Sequence, residues 1–302
     1  MSQHPATHRD PMIAIVGIGC RFPRQMNSPA ALWSGLNARI DTTSEVPASR
    51  WDVDALFDAD RQTAGKTYVR RGSFLDDAEV EGFDPTFFGI SPREAAYVDP
   101  QQRLLLETTY EAMEDAGWAA DALRGSRAGV FMGLFIHDYQ HILLRDRQAL
   151  SHYTNPGIAM SIAANRISYA FDLQGPSLAL DTACSSALVA IHQACVSLRT
   201  GESSVAFAGG VNVILGPENT VGMSKASMLS PDGRCHSFDA RANGYVRGEG
   251  AGVVAAMMKL SSLVRPSFTR RPDRSVNMVA PTEKISARAS NPSTPMACSG
   301  AI

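Results

Sequence analysis

The residue of this sequence that is best placed to do chemistry is Cys184, which lies between two patterns of different period. Residues 177–181 alternate polar and apolar side chains, as a β-strand does. From Ala187 to Leu198, apolar residues recur every three or four positions, as on one face of an amphipathic helix, and Gly201 follows as a C-terminal signal. The pattern therefore predicts a strand, a tight turn and a helix that begins at Cys184.

A cysteine at the start of a helix has the surroundings of a nucleophile. The first turn leaves amide N–H groups unpaired and carries the positive end of the helix dipole, which favours the reactive thiolate. Residues 182–187 are all small, so the backbone can bend sharply there. The nucleophile elbow of serine hydrolases uses a similar turn, although its glycine-flanked serine is absent here. Spacing alone also allows the other interpretation, that Cys184 is a packed core side chain.

The elements around this turn predict an α/β layered sheet. Near-continuous apolar runs, typical of strands buried on both faces, lie at 12–17, 127–134, 204–215 and 251–258. A helix is expected from Asp99-Pro100 to Gly117, and another over about 158–167. Gly209 and Gly210 indicate a bend or a close backbone approach within their strand. Residues 17–19 are expected to follow the first strand, but they lack the third glycine of a dinucleotide-binding turn.

Two stretches near the start of the chain are predicted to cover the domain. A short helix is expected after Ser28, with Pro29 in its first turn and Leu32, Trp33 and Leu36 directed inward. Residues 41–84 are rich in charged and turn residues, and we expect a long, irregular surface segment pinned by isolated aromatic side chains. That segment has two possible roles. It either covers the domain or forms a subunit contact, which is a structural role, or it is a functional loop.

The composition excludes several classes of protein. The 302 residues are 44% hydrophobic and 19% charged, with a formal net charge of −2, which predicts a globular core and gives no sign of a nucleic-acid binder. The five cysteines have no paired spacing, so they fit neither a disulfide framework nor a zinc site and suggest a reducing cytoplasm. No apolar run is long enough to span a bilayer, so no membrane segment is expected.

Several blocks of the sequence resemble the β-ketoacyl synthases, in the form found in type I polyketide synthases and animal-type fatty acid synthases. The block around Cys184 is DTACSSAL at 181–188. Further blocks lie at 13–23, 87–95, 99–107, 163–169, 228–235 and 244–250. They occur in the family's order and at about its spacing, so the resemblance covers residues 12–260.

The resemblance implies a fold and a reaction. Ketosynthases have a thiolase-like layered fold of two similar halves, and this chain is expected to hold the amino-terminal half, a mixed five-stranded sheet with helices. In the family a cysteine, here Cys184, takes an acyl chain from the phosphopantetheine of an acyl carrier protein, and no cofactor or metal is bound directly. The acyl-cysteine then condenses with a malonyl-type thioester that loses its carboxylate. Family members are usually homodimers.

The end of the chain departs from that family. Residues 261–302 are rich in proline, arginine and serine and have no lasting apolar period, so we expect a divergent, largely disordered tail, as we do for the leader at 1–11. The family's two histidine motifs, His-Gly-Thr-Gly-Thr and a later Gly-His, and its lysine, belong to a second half that this sequence lacks. A truncated or frameshifted product is therefore expected, unable to complete condensation. The alternative is a non-catalytic fragment or interaction module that needs a partner for the second half.

The histidines of this sequence do not replace the missing ones. His192 is on the predicted helix of Cys184, but a rise of 1.5 Å per residue places it about 12 Å along the axis, too far to reach the sulfur. His137, His141 and His152 have no spacing that directs them to Cys184, so surface or packing roles are expected. His236 lies in a predicted loop, where it is expected to stand in for a solvated residue. Cys184 is thus the one catalytic residue that we predict.

Overall fold

The computed structural model describes residues 12–258, so the predicted leader and tail lie outside the described residues. The strands are β1 (Ile13–Arg21), β2 (Thr43–Glu45), β3 (Arg71–Ser73), β4 (Ala128–Gly133), β5 (Ser177–Leu180), β6 (Val205–Asn212) and β7 (Gly250–Met258). The α-helices are α1 (Pro29–Asn37), α2 (Val53–Leu56), α3 (Asp77–Glu81), α4 (Pro92–Ala95), α5 (Pro100–Asp115), α6 (Asp138–Leu143), α7 (Thr154–Ile158), α8 (Met160–Phe171), α9 (Ser186–Thr200) and α10 (Glu218–Lys225).

The main sheet has five strands in the order β1-β7-β6-β4-β5. Strand β4 runs parallel to both β5 and β6, whereas β7 is antiparallel to β6 and β1. The sheet is therefore mixed, as predicted. Because β4, β5 and β6 are parallel, their carboxyl ends meet at one edge of the sheet, which is where open α/β sheets place their sites.

Helices cover both faces of this sheet, because successive side chains of a strand point to opposite faces. On β4, Phe131 packs with Ala190 and Leu198 of α9. Val130 and Met132 belong to the larger core cluster on the other face, which includes residues of α5 and α8. The apolar patterns that predicted buried strands are thus explained by a three-layer arrangement.

Helix α5 has the start and end that the sequence predicts. Its N-cap is Asp99, whose carboxylate accepts a hydrogen bond from the Gln101 amide, and Pro100 occupies the first turn. Gly117, just beyond its C-cap, has a φ of +72°, the left-handed conformation that favours glycine. Burial raises the pKa of Asp99 to about 6.

Strand β1 is longer than predicted. The expected strand ends at Gly17, but the observed strand runs on to Arg21, with a register shift between Ile15 and Gly17. Gly17 and Gly19 lie inside it because α5 passes close to the sheet there: an added Cβ at either glycine would collide with the backbone of α5. These glycines serve helix packing, and they do not form a turn.

Other predictions near the start of the chain need correction. Helix α1 forms as expected, but Trp33 and Leu36 are exposed, and the residue that α1 buries is Gly35. The segment at 41–84 is less irregular than predicted, since it contains the β2-β3 pair and short helices. Among the aromatic side chains that were expected to pin this segment, Trp51, Tyr68 and Phe74 are buried. The helix expected over about 158–167 is confirmed as α8, which begins at Met160 and runs on to Phe171, and the short helix α7 precedes it.

Candidate active site

Cys184 lies in a short turn between β5 and α9, as predicted. The turn is a 3₁₀ segment, Ala183–Ser185, and α9 begins at Ser186, so the helix starts two residues later than the sequence indicated. The side chain of Cys184 is exposed and its thiol is free. The interpretation of Cys184 as a packed core side chain is therefore wrong.

The residue before the cysteine has an unusual backbone conformation. Ala183 has a φ of +54°, in the left-handed region. An L-residue other than glycine is disfavoured there by roughly 1–2 kcal/mol, because its Cβ approaches the carbonyl oxygen that follows. Such a conformation persists only where the surroundings enforce it. The sharp bend that the small residues suggested is thus present, with its strain one position before Cys184.

Side chains on both sides of the cysteine hold this turn. The carboxylate of Asp181 accepts a hydrogen bond from the Ala183 amide at 2.9 Å. The hydroxyl of Ser186 accepts from the Thr182 amide at 2.9 Å and donates to the Ala183 carbonyl at 2.7 Å. Ser185 donates its hydroxyl to the Thr182 carbonyl at 2.8 Å. The turn is therefore fastened by local polar bonds that compensate for the strain at Ala183.

The first turn of α9 rests directly on the sheet. A Cβ at Gly133 of β4 would lie 2.5 Å from the Ala187 amide nitrogen, and one at Gly210 of β6 would lie 2.8 Å from the Ala187 Cβ. Only glycine leaves enough room at these two positions for the helix to approach so closely. The close approach predicted for Gly209 and Gly210 is confirmed, and it fixes the helix that follows Cys184 relative to β4 and β6.

The turn offers a hydrogen-bond donor beside the thiol. Within residues 12–258, no acceptor is bonded to the amide N–H of Cys184, whereas the flanking amides of Thr182 and Ala183 are both satisfied. An unpaired amide at the start of a helix can stabilise negative charge on an oxygen that develops near the sulfur. The arrangement thus places an exposed thiol and an amide donor without an acceptor in the same turn.

The loop before β7 contains Tyr245, a residue that the sequence did not single out. Tyr245 pairs with Leu229 across this loop, and its phenol donates a hydrogen bond to the Met223 sulfur at 2.8 Å. Burial raises the pKa of Tyr245, while the positive charge of Arg247 lowers it and the charge of Cys184 adds to the rise. A sequence signal was available in the glycine-rich stretch 244–250, but nothing in it distinguishes the tyrosine from a packing residue.

A buried carboxylate holds the same loop to the domain. Glu249 is fully buried and accepts hydrogen bonds from the amides of Leu75 at 2.8 Å and Ile214 at 2.7 Å. The guanidinium of Arg50, also buried, lies 3.4 Å from it. Burial raises the pKa of Glu249, although the two amides and Arg50 favour its charged form. This cluster ties the loop to the β2-β3 region and to the end of β6.

The histidines have the roles expected from their spacing. His192 is exposed on α9, and His152 stacks on Tyr153. His236 lies 3.3 Å from the Asp232 carboxylate, in a loop. Within residues 12–258, no histidine is hydrogen-bonded to Cys184. The part of the chain that the structure describes thus provides an exposed thiol without a histidine base beside it.

Two further features bear on the class of protein. In the described part of the chain, no group of three or more histidine, cysteine or acidic side chains is arranged to hold a metal ion. Across the same residues, no helix has the length and apolar character needed to cross a bilayer.

Comparison with known proteins identifies the family. A family model described as the N-terminal domain of beta-ketoacyl synthase matches residues 10–260. A phenolphthiocerol/phthiocerol polyketide synthase of Mycobacterium tuberculosis is 49% identical over 253 residues, which are 84% of this chain and 16% of that protein. The fusarin C synthetase of Gibberella moniliformis is 48% identical over 262 residues, 87% of this chain and 7% of that protein.

Solved structures match over the same region. The oxazolomycin ketosynthase domain of Streptomyces albus is similar with a TM-score of 0.75 and 42% identity, over 82% of this chain and 43% of that one. The ketosynthase from module 6 of the bacillaene synthase of Bacillus subtilis gives a TM-score of 0.74 and 40% identity, over 82% of this chain and 40% of that one. The mixed sheet and its helices are the amino-terminal half of a thiolase-like fold. The chain belongs to the β-ketoacyl synthase family, and it spans less than half of these ketosynthase domains.

Proposed function

We propose that this chain accepts an acyl group on Cys184 from the phosphopantetheine thioester of an acyl carrier protein. The thiolate attacks the thioester carbonyl, and the negative charge that forms on the oxygen is stabilised by the Cys184 amide. Collapse of this intermediate leaves an acyl-cysteine and releases the phosphopantetheine thiolate, which takes a proton from water. The observation that carries this proposal is the exposed thiol on a strained turn at the start of α9.

The family reaction continues with condensation. A malonyl-type thioester loses carbon dioxide, and its carbanion attacks the acyl-cysteine carbonyl, which frees the thiolate and gives a β-ketoacyl thioester. That step needs hydrogen-bond donors for the enolate as it develops. The two histidine motifs that supply them in the family are absent from this sequence. We therefore propose that this chain alone stops at the acyl-enzyme and needs the second half of a ketosynthase domain to condense.

The proposed partners follow from this chemistry. They are an acyl carrier protein, acyl and malonyl-type thioesters and a second copy of the chain, with no cofactor bound directly to this domain. The named relatives are polyketide synthases, and β5 lies at an edge of the sheet, where a second copy has access to it. A reducing cytoplasm fits the free thiols of Cys20, Cys184, Cys195 and Cys235.

One observation favours a second candidate function, that of a binding module for a missing half. Apolar side chains are exposed on α9 and β1, among them Leu188 at 72% and Ile15 at 59% of their full accessibility. Where such side chains form a contiguous patch, they mark an interaction site or a tendency to aggregate. In this interpretation the chain binds a polypeptide that supplies the second half, and it has no activity before it does so.

An acylation assay separates these functions. The purified chain is incubated with an acyl thioester of pantetheine, and adducts are located by intact mass and peptide mapping. If the proposed acyl transfer occurs, one adduct forms on Cys184. The adduct should be lost in Cys184→Ala and retained in Cys235→Ala, a control that removes another exposed thiol. Folded protein that forms no adduct would favour the binding module. Product from a malonyl thioester by this chain alone would contradict the proposed need for a second half.

A further inference from the structure

We propose that Ser186 is a positioning residue for Cys184, and that its hydroxyl holds the turn in the conformation that acyl transfer requires. This inference rests on the function proposed above. Ser186 is buried, at 4% exposure, and the hydrogen bonds of its hydroxyl go to the backbone of Thr182 and Ala183, not to the sulfur. It acts through the backbone, because its one hydroxyl binds two groups that precede the cysteine: the Thr182 amide and the Ala183 carbonyl.

The direction of these bonds distinguishes Ser186 from a helix cap. Ser185 is the N-cap of α9, and its side chain makes no capping bond to the amides of the first turn. The hydroxyl of Ser186 points back toward the turn and spans the peptide that leads to Cys184. If stability of α9 were its purpose, the bond would go to an amide of that helix. The hydroxyl therefore serves the preceding turn.

The energies are of matching size. A left-handed alanine is modestly disfavoured, and the net contribution of a single hydrogen bond is of similar size. The two bonds of Ser186 together with the Asp181 bond to the Ala183 amide are therefore sufficient to hold Ala183 at its φ of +54°. Without the hydroxyl of Ser186, Ala183 gains by relaxing to a negative φ. That rotation displaces the amide and the Cα of Cys184 relative to α9.

The chain offers a matched control on the same helix. Ser197 is also buried, and its hydroxyl bonds that of Ser203 at 2.7 Å, at the far end of α9. Ser186→Ala and Ser197→Ala each delete one buried hydroxyl and keep the Cβ, so packing against Gly133 is preserved in the first variant. Both variants are expected to lose comparable stability, but only Ser186→Ala alters the turn.

The decisive measurement is single-turnover acylation of Cys184 by an acyl pantetheine thioester at increasing concentration. Ser186→Ala is expected to lower the maximal rate about 10- to 100-fold, since a displacement of about 1 Å has effects of this order, with the half-saturating concentration changed less than about threefold. Ser197→Ala is expected to acylate within about twofold of the unsubstituted chain. Equal maximal rates in the two variants would overturn the inference.

A spectroscopic measurement tests the change in the backbone conformation of Ala183 and does not require that the chain be active. The ¹³Cα and carbonyl chemical shifts of Ala183 report its backbone angles, and they are expected to move from left-handed values in Ser186→Ala but not in Ser197→Ala. Unchanged shifts in Ser186→Ala would refute the positioning role. If the unsubstituted chain forms no acyl adduct, the proposed function fails, and these shifts still show whether Ser186 sets the turn.

Discussion

The contact between β4 and α9 gives a sharp test of how the fold positions Cys184. In Gly133→Ala, the new methyl carbon would lie 2.5 Å from the Ala187 nitrogen, 2.5 Å from the Ser186 carbonyl carbon and 2.8 Å from the Ser186 Cβ. An ordinary contact needs about 3.5 Å, so the first turn of α9 has to move away by about 1 Å. The colliding atoms are mostly backbone, so no flexible side chain can absorb the change.

Two consequences of Gly133→Ala can be measured. Forcing a methyl group into a filled core destabilises by about 1–3 kcal/mol, and urea unfolding should show a loss in this range. Cys184 precedes the displaced turn, and a shift of about 1 Å reduces the rate of a positioned reaction up to about 100-fold. Acylation of Cys184, followed by intact mass, should therefore slow about 10- to 100-fold while the thiol remains exposed.

Gly222→Ala is the control for this experiment. An added Cβ at Gly222, within α10, meets no atom within 4 Å. Alanine is favoured over glycine inside a helix by about 1 kcal/mol, so this variant should be slightly more stable and acylate at the unsubstituted rate. If Gly133→Ala behaves like Gly222→Ala in both assays, α9 does not rest on β4 as described, and the account of the site's positioning is wrong.

Substitutions at three other positions test the energetics. Glu249→Ala removes the buried partner of Arg50, which keeps only the partly exposed Asp77 at 3.6 Å, and it leaves the buried amides of Leu75 and Ile214 without their acceptor. It should cost about 3–5 kcal/mol in urea unfolding; a loss below about 1 kcal/mol would show that the pair is not buried as observed. Burial raises the pKa of Glu107 from its ordinary 4.5 to about 7. The folded chain keeps this proton to higher pH than the unfolded chain, so the Glu107 contribution is complete below pH 4.5, and about 3 kcal/mol of stability is lost as the pH rises through 7. Glu107→Gln should flatten that part of the profile, and an unchanged slope would contradict the shift. Ala183→Gly relieves a left-handed φ and should raise the free energy of unfolding by about 1 kcal/mol, whereas Ala183→Val should lower it; the opposite order would show that the turn is not strained.

The sequence was sufficient to predict the strand, turn and helix around Cys184. The period of the apolar residues changes at the turn, from two positions to between three and four. The small residues there indicate that the turn is tight. Both signals are local, because they depend on the chain's own backbone geometry. The apolar runs predicted an α/β layered sheet, and the resemblance to ketosynthases implied that it is a mixed sheet of five strands.

Features that depend on distant packing were not predictable in this way. Trp33 and Leu36 lie on the apolar stripe of α1, yet both are exposed, because a stripe indicates a face without identifying what covers it. Gly17 and Gly19 suggested the end of a strand, but they lie inside β1 because α5 passes over them. In each case the missing information was the position of another element.

The residues that support Cys184 were missed for a different reason. Asp181 and Ser186 are near it in sequence, and both types commonly bond to nearby backbone. Which amide or carbonyl they bind depends on the φ of Ala183, and alanine gives no sequence signal of a left-handed conformation. Tyr245, whose pKa Cys184 helps to raise, lies in a loop far along the chain. A search for Asp or Ser within a few residues of a candidate nucleophile would have found the first two.

Among the described residues, the turn that holds Cys184 is fixed by contacts inside one half of the thiolase-like fold. Ala183 is held by Asp181 and Ser186, and α9 is seated on Gly133 and Gly210, all within the described residues. In the function proposed above, acyl transfer uses a thiolate and an oxyanion donor of this turn, whereas decarboxylation needs donors for an enolate, which we assign to a second half. In this proposal, separating the two halves of the fold therefore also separates the acyl-transfer step from the decarboxylation step. Acylation without condensation is the expected behaviour of this chain, and condensation without acylation is not, because the carbanion would then have no acyl group to attack.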